Sequence, residues 1–196
     1  MPNPNEKKKY TAEEFYKLIP ETNLKVELID GEIVSDHSLE EIIKGSPSLF
    51  AGASKVHQDI VGGVYSEFRA FVKANNGGCR TFVSPFDVEF DEHNTVQPDV
   101  MIICDPSKIT DKKVLGAPDL VVEVVSSNRS DDFVRKLQLY KNGGVREYWI
   151  IDPSEKRTIV YTFGETDHIS FYAFDKPIPV GIWDNKLEIT VAELLV

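Results

Sequence analysis

A single carboxylate lies in the middle of an apolar run. Residues 118–127 read PDLVVEVVSS, so Glu123 stands among four valines in a segment whose composition is typical of a buried strand. An unpaired carboxylate is costly to bury, and such a group normally finds a cationic partner, a proton or a metal ion. Glu123 is therefore the first candidate for a residue with a function.

Two further side chains have the chemistry and the position to reach Glu123. Asp99 opens the predicted strand DVMIIC and can converge on Glu123 if the two strands pair. Lys136 lies on a predicted helix, on one face with Asp132 and Tyr140 by their i, i+4 spacing. That helix follows the Glu123 strand directly, so the lysine can fold back toward it. Two carboxylates and an amine at one sheet edge favour a hard cation such as Mg²⁺, which takes one or two carboxylates together with waters and phosphate oxygens.

The elements on either side of these residues follow from apolar periodicity and turn signals. TAEEFYKLI predicts a short helix in which Thr11 and Glu14 form a capping box. LKVELIDGEIVSD predicts a β-hairpin that turns at Asp30-Gly31. Residues 37–53 are predicted to form a loop with one helical turn near LEEII. Apolar spacing then predicts a long helix over residues 54–75.

Residues 54–152 are predicted to form the core. After the long helix come RTFVS to FDVEF, interpreted as one bent strand or a hairpin, and then the strands DVMIIC and LVVEVV. The helix DDFVRKLQLYKN, with Ser130 as a plausible N-cap, joins the strands 119–125 and 146–152 in a predicted right-handed parallel crossover. A hairpin of TIVYTF and ISFYAF and a terminal helical turn follow. The fold class is α/β (α+β), with a mixed central sheet flanked by helices.

Composition restricts the class of protein. A chain of 196 residues with 41% hydrophobic content predicts one domain over residues 11–196, after a disordered lead-in over residues 1–10. The net charge of −10 disfavours non-specific coating of nucleic acid but is compatible with a local basic cleft. Cys79 and Cys104 fit no metal-ligand spacing and are predicted to be unpaired core residues of a cytoplasmic protein. The sequence predicts neither a signal peptide nor a membrane span.

Four longer phrases, in order, resemble a known family. ELIDGEIV, QPDVMII, APDLVVEVVS followed by DDFVRKLQLY, and GVREYWIIDP are similar to the Uma-type restriction endonuclease family of the PD-(D/E)XK nuclease superfamily. The resemblance extends over residues 11–195. It implies a restriction endonuclease-like αβββαβ core and a Mg²⁺-dependent endonuclease, with Mn²⁺ as a substitute, that hydrolyses DNA phosphodiester bonds through a Mg-activated water. It also implies a homodimer.

The resemblance assigns roles to particular residues. Asp99 and Glu123 become the acidic metal ligands, and the backbone carbonyl of Val124 becomes a third ligand. The superfamily triplet normally ends in lysine, whereas this chain has Val125 at that position. The resemblance suggests that Lys136 supplies the missing amine. Two further candidates come from the same resemblance, namely Glu27 as an upstream acid and His57 where the family often has a histidine.

Each candidate also has a structural interpretation. Glu123 can form a purely structural ion pair with Lys136, Lys136 can pair with Asp132 at the surface, and Asp99 can cap a turn. Glu27 can lie on the solvent face of its hairpin, and His57 can be a boundary residue.

Two other functions stay open. A non-catalytic nuclease-fold module that binds nucleic acid or a protein is favoured by Val125 and by the acidic charge. A metallohydrolase acting on a smaller phosphate ester is the third candidate. A surplus of basic residues over 126–146 predicts a modest basic patch, which is composed of Arg129, Arg135, Lys136, Lys141 and Arg146.

Overall fold

The helices lie close to the predicted segments. The computed structural model describes residues 8–20, 22, 24–45, 53–126 and 132–195, and of residues 132 and 133 it describes the backbone. The helices are α1 (Ala12–Leu18), α2 (Leu39–Lys44), α3 (Lys55–Ala74) and α4 (Asp132–Gly143). None of the helices in these ranges is long and apolar enough to cross a membrane.

The strands form two larger sheets and one small ribbon. The first sheet has the order β2-β1-β5-β4-β7 and contains β1 (Val26–Ile29), β2 (Glu32–Ser35), β4 (Asp87–Asp91), β5 (Asn94–Val96) and β7 (Lys113–Leu115). The second has the order β11-β10-β9-β8-β6-β3 and contains β3 (Arg80–Val83), β6 (Val100–Ile103), β8 (Leu120–Val124), β9 (Glu147–Asp152), β10 (Arg157–Thr162) and β11 (His168–Ala173). The ribbon pairs β12 (Ile178–Pro179) with β13 (Glu188–Ile189).

The predicted core order is present around the second sheet. The elements α3, β3, β6, β8, α4 and β9 follow one another as αβββαβ, interrupted by the strands of the first sheet. β6 runs antiparallel to both β3 and β8, whereas β8 and β9 are parallel and are joined through α4. The sheet is therefore mixed and flanked by helices, which confirms the predicted fold class.

Alternating side chains of β8 face two different layers. Leu120, Val122 and Val124 belong to the core cluster that also contains apolar residues of α3. Val121 belongs to the opposite cluster, which contains Tyr140 of α4 and apolar residues of the first sheet. Because successive side chains of a strand point to opposite faces, Glu123 shares the face of Val121. The buried carboxylate is thus directed between the second sheet, the first sheet and α4.

Local signals set the ends of several elements as predicted. Thr11 and Glu14 form the capping box of α1, and α2 lies where LEEII predicted a helical turn. The hairpin β1–β2 turns at Asp30 and Gly31, whose φ angles of 52° and 73° are both positive, as this type of tight turn requires. At the start of α3, the Ser54 hydroxyl accepts a hydrogen bond from the amide of His57.

The prediction that RTFVS and FDVEF form one bent strand or a hairpin is wrong. β3 pairs with β6 in the second sheet, whereas β4 pairs with β5 and β7 in the first. Pro85, in the segment between β3 and β4, has no N–H to continue a strand ladder. The chain crosses there from one sheet to the other.

The prediction that the cysteines are unpaired is also wrong. Cys79 and Cys104 form a disulfide. Arg80 and Ile103 are opposite each other in the antiparallel pair β3–β6, so the next residues outward are the two cysteines. Their proximity depends on strand register, which the separation along the sequence does not reveal.

Two further predictions fall at least partly outside the described residues. Residues 1–7 of the predicted lead-in lie outside them, and so does the proposed N-cap Ser130. Of the remaining lead-in, the Tyr10 amide donates to the carbonyl of Gly31, and the Lys9 ammonium donates to the carbonyl of Asp30.

The two adjacent glycines of α3 give a test of its packing. A Cβ at Gly63 would lie 2.9 Å from Cβ of Leu194, whereas a Cβ at Gly62 would meet nothing within 4 Å. We expect Gly62→Ala to raise the free energy of unfolding by about 0.5–1 kcal/mol, the usual gain of alanine over glycine within a helix. Gly63→Ala should lose that gain because Leu194 must move. Urea denaturation measures both variants, and equal stabilisation would contradict the packing described here.

Candidate active site

Pairing of β6 with β8 brings the two predicted acidic residues together. Val100 is opposite Val122, so Asp99, one residue before β6, comes next to Glu123. Both carboxylates are buried. The structure thus places side by side two residues that are separated by 24 positions in the chain, as the sequence predicted.

The Glu123 carboxylate has different partners on its two oxygens. Oε1 accepts hydrogen bonds from the Lys136 ammonium at 3.0 Å and from the Tyr140 hydroxyl at 2.7 Å. Oε2 faces the ammonium of Lys25, also at 3.0 Å. Burial, followed by the charge of Glu123, raises the pKa of Tyr140 well above its ordinary value, so its hydroxyl stays protonated and remains a donor.

The two oxygens of the Asp99 carboxylate also have different partners. Oδ2 accepts a hydrogen bond from the backbone amide of Val124 at 2.9 Å and contacts His57 Nε2 at 3.2 Å. Oδ1 faces the Lys25 ammonium at 3.0 Å. Burial acts to raise the pKa of Asp99, but Lys25, His57 and the Val124 amide outweigh it and hold the pKa below its ordinary value. Asp99 is therefore an ionised acceptor.

Glu27 reaches the same place from the first sheet. Its carboxylate lies on β1, and its two oxygens are 2.8 Å and 3.0 Å from the Lys136 ammonium. Oε1 also accepts a hydrogen bond from the Gln97 amide at 2.9 Å. Burial acts to raise the pKa of Glu27, but the charges of Lys136 and Lys25 lower it below its ordinary value. The side chain is fully buried, so the interpretation that Glu27 lies on the solvent face of the hairpin is wrong.

Lys136 is held between two carboxylates rather than at the surface. Its ammonium contacts Glu27 and Glu123, and its side chain is only 3% exposed. It therefore crosslinks α4 to a strand of each large sheet. The predicted convergence of Lys136 on Glu123 is present in the structure.

Lys25 and Tyr140 belong to the site but were not predicted to. Lys25 precedes β1 by one residue, two positions before Glu27, and its ammonium bridges Asp99 and Glu123. Burial acts to lower the pKa of Lys25, but those two carboxylates outweigh it and raise the pKa above its ordinary value. The spacing of Lys25 from Glu27 was an available signal, since residues i and i+2 of an extended segment share a face. Spacing also placed Tyr140 on the Lys136 face, without a role.

These residues form one connected group, the carboxylate–lysine cluster. It consists of Lys25, Glu27, His57, Asp99, Glu123, Lys136 and Tyr140. All five side chains that the sequence singled out as catalytic candidates are members. For the sixth candidate, Val124, the contact observed is the hydrogen bond from its amide to Asp99, and the role of its carbonyl as a metal ligand stays a prediction.

The predicted basic patch is largely neutralised within the chain. Arg129 lies outside the described residues. The other four basic side chains are paired, namely Arg135 with Glu32, Lys136 with Glu27 and Glu123, Lys141 with Asp167, and Arg146 with Asp119. α4 and the residues just after it therefore present less positive charge than their composition indicates.

Comparisons with known proteins identify the family and the fold of the chain. The family model of Uma2, described as "Putative restriction endonuclease", matches residues 12–177. The chain belongs to the Uma2 family. A crystal structure from Anabaena variabilis, described as a "putative nuclease belonging to DUF820", is 23% identical in sequence and has a TM-score of 0.70. The alignment covers 94% of this chain and 97% of that one, which shows a shared fold. No curated protein matches the chain.

The cluster of this Uma2 family member fits a hard divalent cation with few protein ligands. The described ranges contain no group of three or more histidine, cysteine, aspartate or glutamate side chains arranged for a metal. Asp99 and Glu123 nevertheless direct one oxygen each toward the same cationic group, the Lys25 ammonium. Mg²⁺ commonly binds through one or two carboxylates and completes its shell with waters and phosphate oxygens. Asp99 and Glu123 are therefore the residues that could hold a hard cation such as Mg²⁺ or Mn²⁺.

Breaking the buried pair of Glu27 and Lys136 should be strongly destabilising. We expect Glu27→Gln to lower the free energy of unfolding by roughly 3 kcal/mol or more, because it leaves the buried Lys136 ammonium short of one compensating charge. Glu89→Gln is the matched control, since Glu89 pairs with Lys113 where both side chains are partly exposed. Its loss should stay within about 1 kcal/mol. Denaturation in urea with EDTA compares the two variants, and similar losses would show that burial of the pair adds nothing.

Proposed function

We propose that this protein is a metal-dependent DNA endonuclease in which Asp99 and Glu123 bind Mg²⁺. Two observations support the proposal. The chain belongs to the Uma2 family, and one oxygen of each carboxylate lies 3.0 Å from the same cationic nitrogen. The second observation carries the assignment, because it identifies the two oxygens that are directed at a common cation. A bound Mg²⁺ would lower the pKa of a coordinated water and offset charge on the phosphate oxygens.

The remaining residues of the cluster would position these two carboxylates. Lys136 and Tyr140 hold Oε1 of Glu123, so Oε2 is kept toward the cation position. The Val124 amide and His57 do the same for Oδ2 of Asp99. Glu27 in turn holds the Lys136 ammonium. The burial of Lys136 favours a positioning role for this amine over direct contact with a bulky substrate such as DNA.

A second candidate function is favoured by Lys25. Its ammonium bridges Asp99 and Glu123 and already places a positive charge between them, so the fold needs no metal at this place. A nuclease-fold module that binds nucleic acid or a protein without cleavage would have this arrangement. The two candidates differ in whether a divalent cation can replace the lysine.

The endonuclease proposal predicts metal-dependent nicking that requires Glu123. We expect purified protein to nick supercoiled plasmid in Mg²⁺ or Mn²⁺ and not in EDTA, and Glu123→Gln to reduce nicking to background. Glutamine keeps the shape of the side chain but lacks the charge that holds a hard cation. Glu89→Gln, on β4 and outside the cluster, is the control and should cut like the wild type.

Nicking, gel retardation and a chromogenic substrate together separate the candidate functions. Nicking by Glu123→Gln at the wild-type rate would remove the proposal. Retarded migration of DNA in a gel without cleavage in any divalent cation would favour the non-catalytic module. Turnover of a chromogenic phosphodiester without cleavage of duplex DNA would favour a smaller substrate.

We also propose that the protein acts as a homodimer, since two copies can cut the two strands of a duplex symmetrically. β11 is an edge strand of the second sheet, and it exposes Ile169 and Phe171 on one face. An exposed edge with apolar side chains is suited to pairing with a second chain. β7, at the edge of the first sheet, is shorter and exposes Leu115.

The β11 surface can be tested by light scattering after size exclusion. We expect a dimer for the wild type and a monomer for Phe171→Lys, because a charge on the apolar face opposes pairing. Leu115→Lys is the matched control on the other edge and should stay dimeric. A monomeric wild type, or a dimeric Phe171→Lys, would contradict the proposed surface.

A further inference from the structure

Asp99 and Glu123 each have one carboxylate oxygen that accepts hydrogen bonds from several groups. Among the described residues, the polar partner of each second oxygen is Lys25. Oε1 of Glu123 is held by Lys136 and Tyr140. Oδ2 of Asp99 is held by the Val124 amide and His57. The other two oxygens, Oε2 and Oδ1, are both hydrogen-bonded to the Lys25 ammonium at 3.0 Å. The lysine therefore uses the same atoms that a divalent cation needs.

The formal charge of the cluster favours exchange of cations over addition. Glu27, Asp99 and Glu123 contribute three negative charges, and the two lysines return two positive ones. These five side chains together therefore keep one negative charge. If a divalent cation took the place of Lys25, the buried group would become neutral, whereas adding the cation beside Lys25 would leave one positive charge. Uncompensated charge is costly in a buried site, so replacement is the more favourable change.

Exposure identifies which lysine can leave. The Lys25 side chain is 23% exposed, whereas that of Lys136 is 3% exposed. Lys25 also lies before β1, outside the regular strand ladder, so its side chain can turn to solvent without breaking a strand pair. Departure of Lys136 would instead leave Glu27 and one oxygen of Glu123 without their shared cation.

We propose that Lys25 is a resident cation that stabilises the metal-free site and is displaced when a divalent metal binds to Asp99 and Glu123. This inference rests on the proposed metal-dependent function. It assigns different tasks to the two lysines of the cluster. Lys136 stays in place and positions the carboxylates, whereas Lys25 competes with the metal and thereby sets its affinity.

Mn²⁺ binding to the full chain tests the competition directly. We expect Lys25→Met to bind Mn²⁺ about tenfold or more tightly than the wild type in calorimetric titrations, since the metal no longer displaces an ion-paired amine. The same variant should unfold at a lower temperature in EDTA and gain more from added Mn²⁺. Lys113→Met is the matched control, because Lys113 is also partly exposed and paired with a carboxylate, Glu89. Its Mn²⁺ affinity should equal that of the wild type.

A second measurement uses the wild type and avoids any folding defect of the variant. Acetic anhydride acylates accessible, unprotonated lysine amines, a form that a buried ion pair disfavours, and mass spectrometry locates the modified sites. We expect acetylation of Lys25 to rise several-fold when saturating Mn²⁺ is added, whereas acetylation of Lys113 stays constant.

The outcomes separate this inference from the function on which it rests. Mn²⁺ binding to the wild type with equal or weaker binding to Lys25→Met, or with unchanged acetylation of Lys25, would overturn the displacement and leave the metal site standing. If neither the wild type nor Lys25→Met binds Mn²⁺, both proposals are overturned. Tighter binding to Lys25→Met that is lost again in the double variant with Asp99→Asn would support both.

Discussion

The charge of Glu123 is the constraint on which this part of the fold depends. A carboxylate at the centre of an apolar strand is tolerated only when its charge is compensated, and here two ammonium groups and a hydroxyl do so. These donors come from the segment before β1 and from α4, so satisfying one side chain requires several distant elements to meet. The ion pairs therefore connect the two large sheets and α4, in addition to the apolar contacts between them.

In the proposed function, the two lysines of the carboxylate–lysine cluster have different tasks. Lys136 is buried and joins Glu27 to Glu123, so in the proposed function it would position the carboxylates. Lys25 is nearer to solvent and contacts the oxygens that point away from the structural donors. The superfamily triplet that the chain resembles ends in lysine, and this chain has Val125 there. Positive charge reaches the carboxylates instead from a helix and from the start of a hairpin.

Local features of the fold were predictable because their causes are local. The capping box of Thr11 and Glu14 and the turn at Asp30-Gly31 each depend on residues within one or two turns of chain. The αβββαβ order followed from periodicity together with the family resemblance. The division of RTFVS and FDVEF between two sheets was not predictable in this way, because strand pairing is decided by partners far along the chain.

The residues of the candidate site were predictable under the same condition, namely that their partners are constrained by nearby elements. The sequence could predict that Asp99, Glu123 and Lys136 converge, because a strand pair and the helix that follows it constrain their positions. Lys25 was missed because a lysine at the start of a hairpin resembles any solvated residue, and its partners lie 74 and 98 positions away. The disulfide and the neutralisation of the basic patch were not predicted for the same reason. In each case the deciding partner is non-local.

The ion pair between Glu27 and Lys136 has a consequence for how this sequence can diverge. Its two residues are 109 positions apart in the sequence, lie on β1 and α4, and are both buried. Replacement of either one alone breaks a buried ion pair and leaves the other charge less well compensated, so substitutions at these two sites should be inherited together. A chimera that takes its N-terminal hairpin from one relative and α4 from another would have to preserve this match.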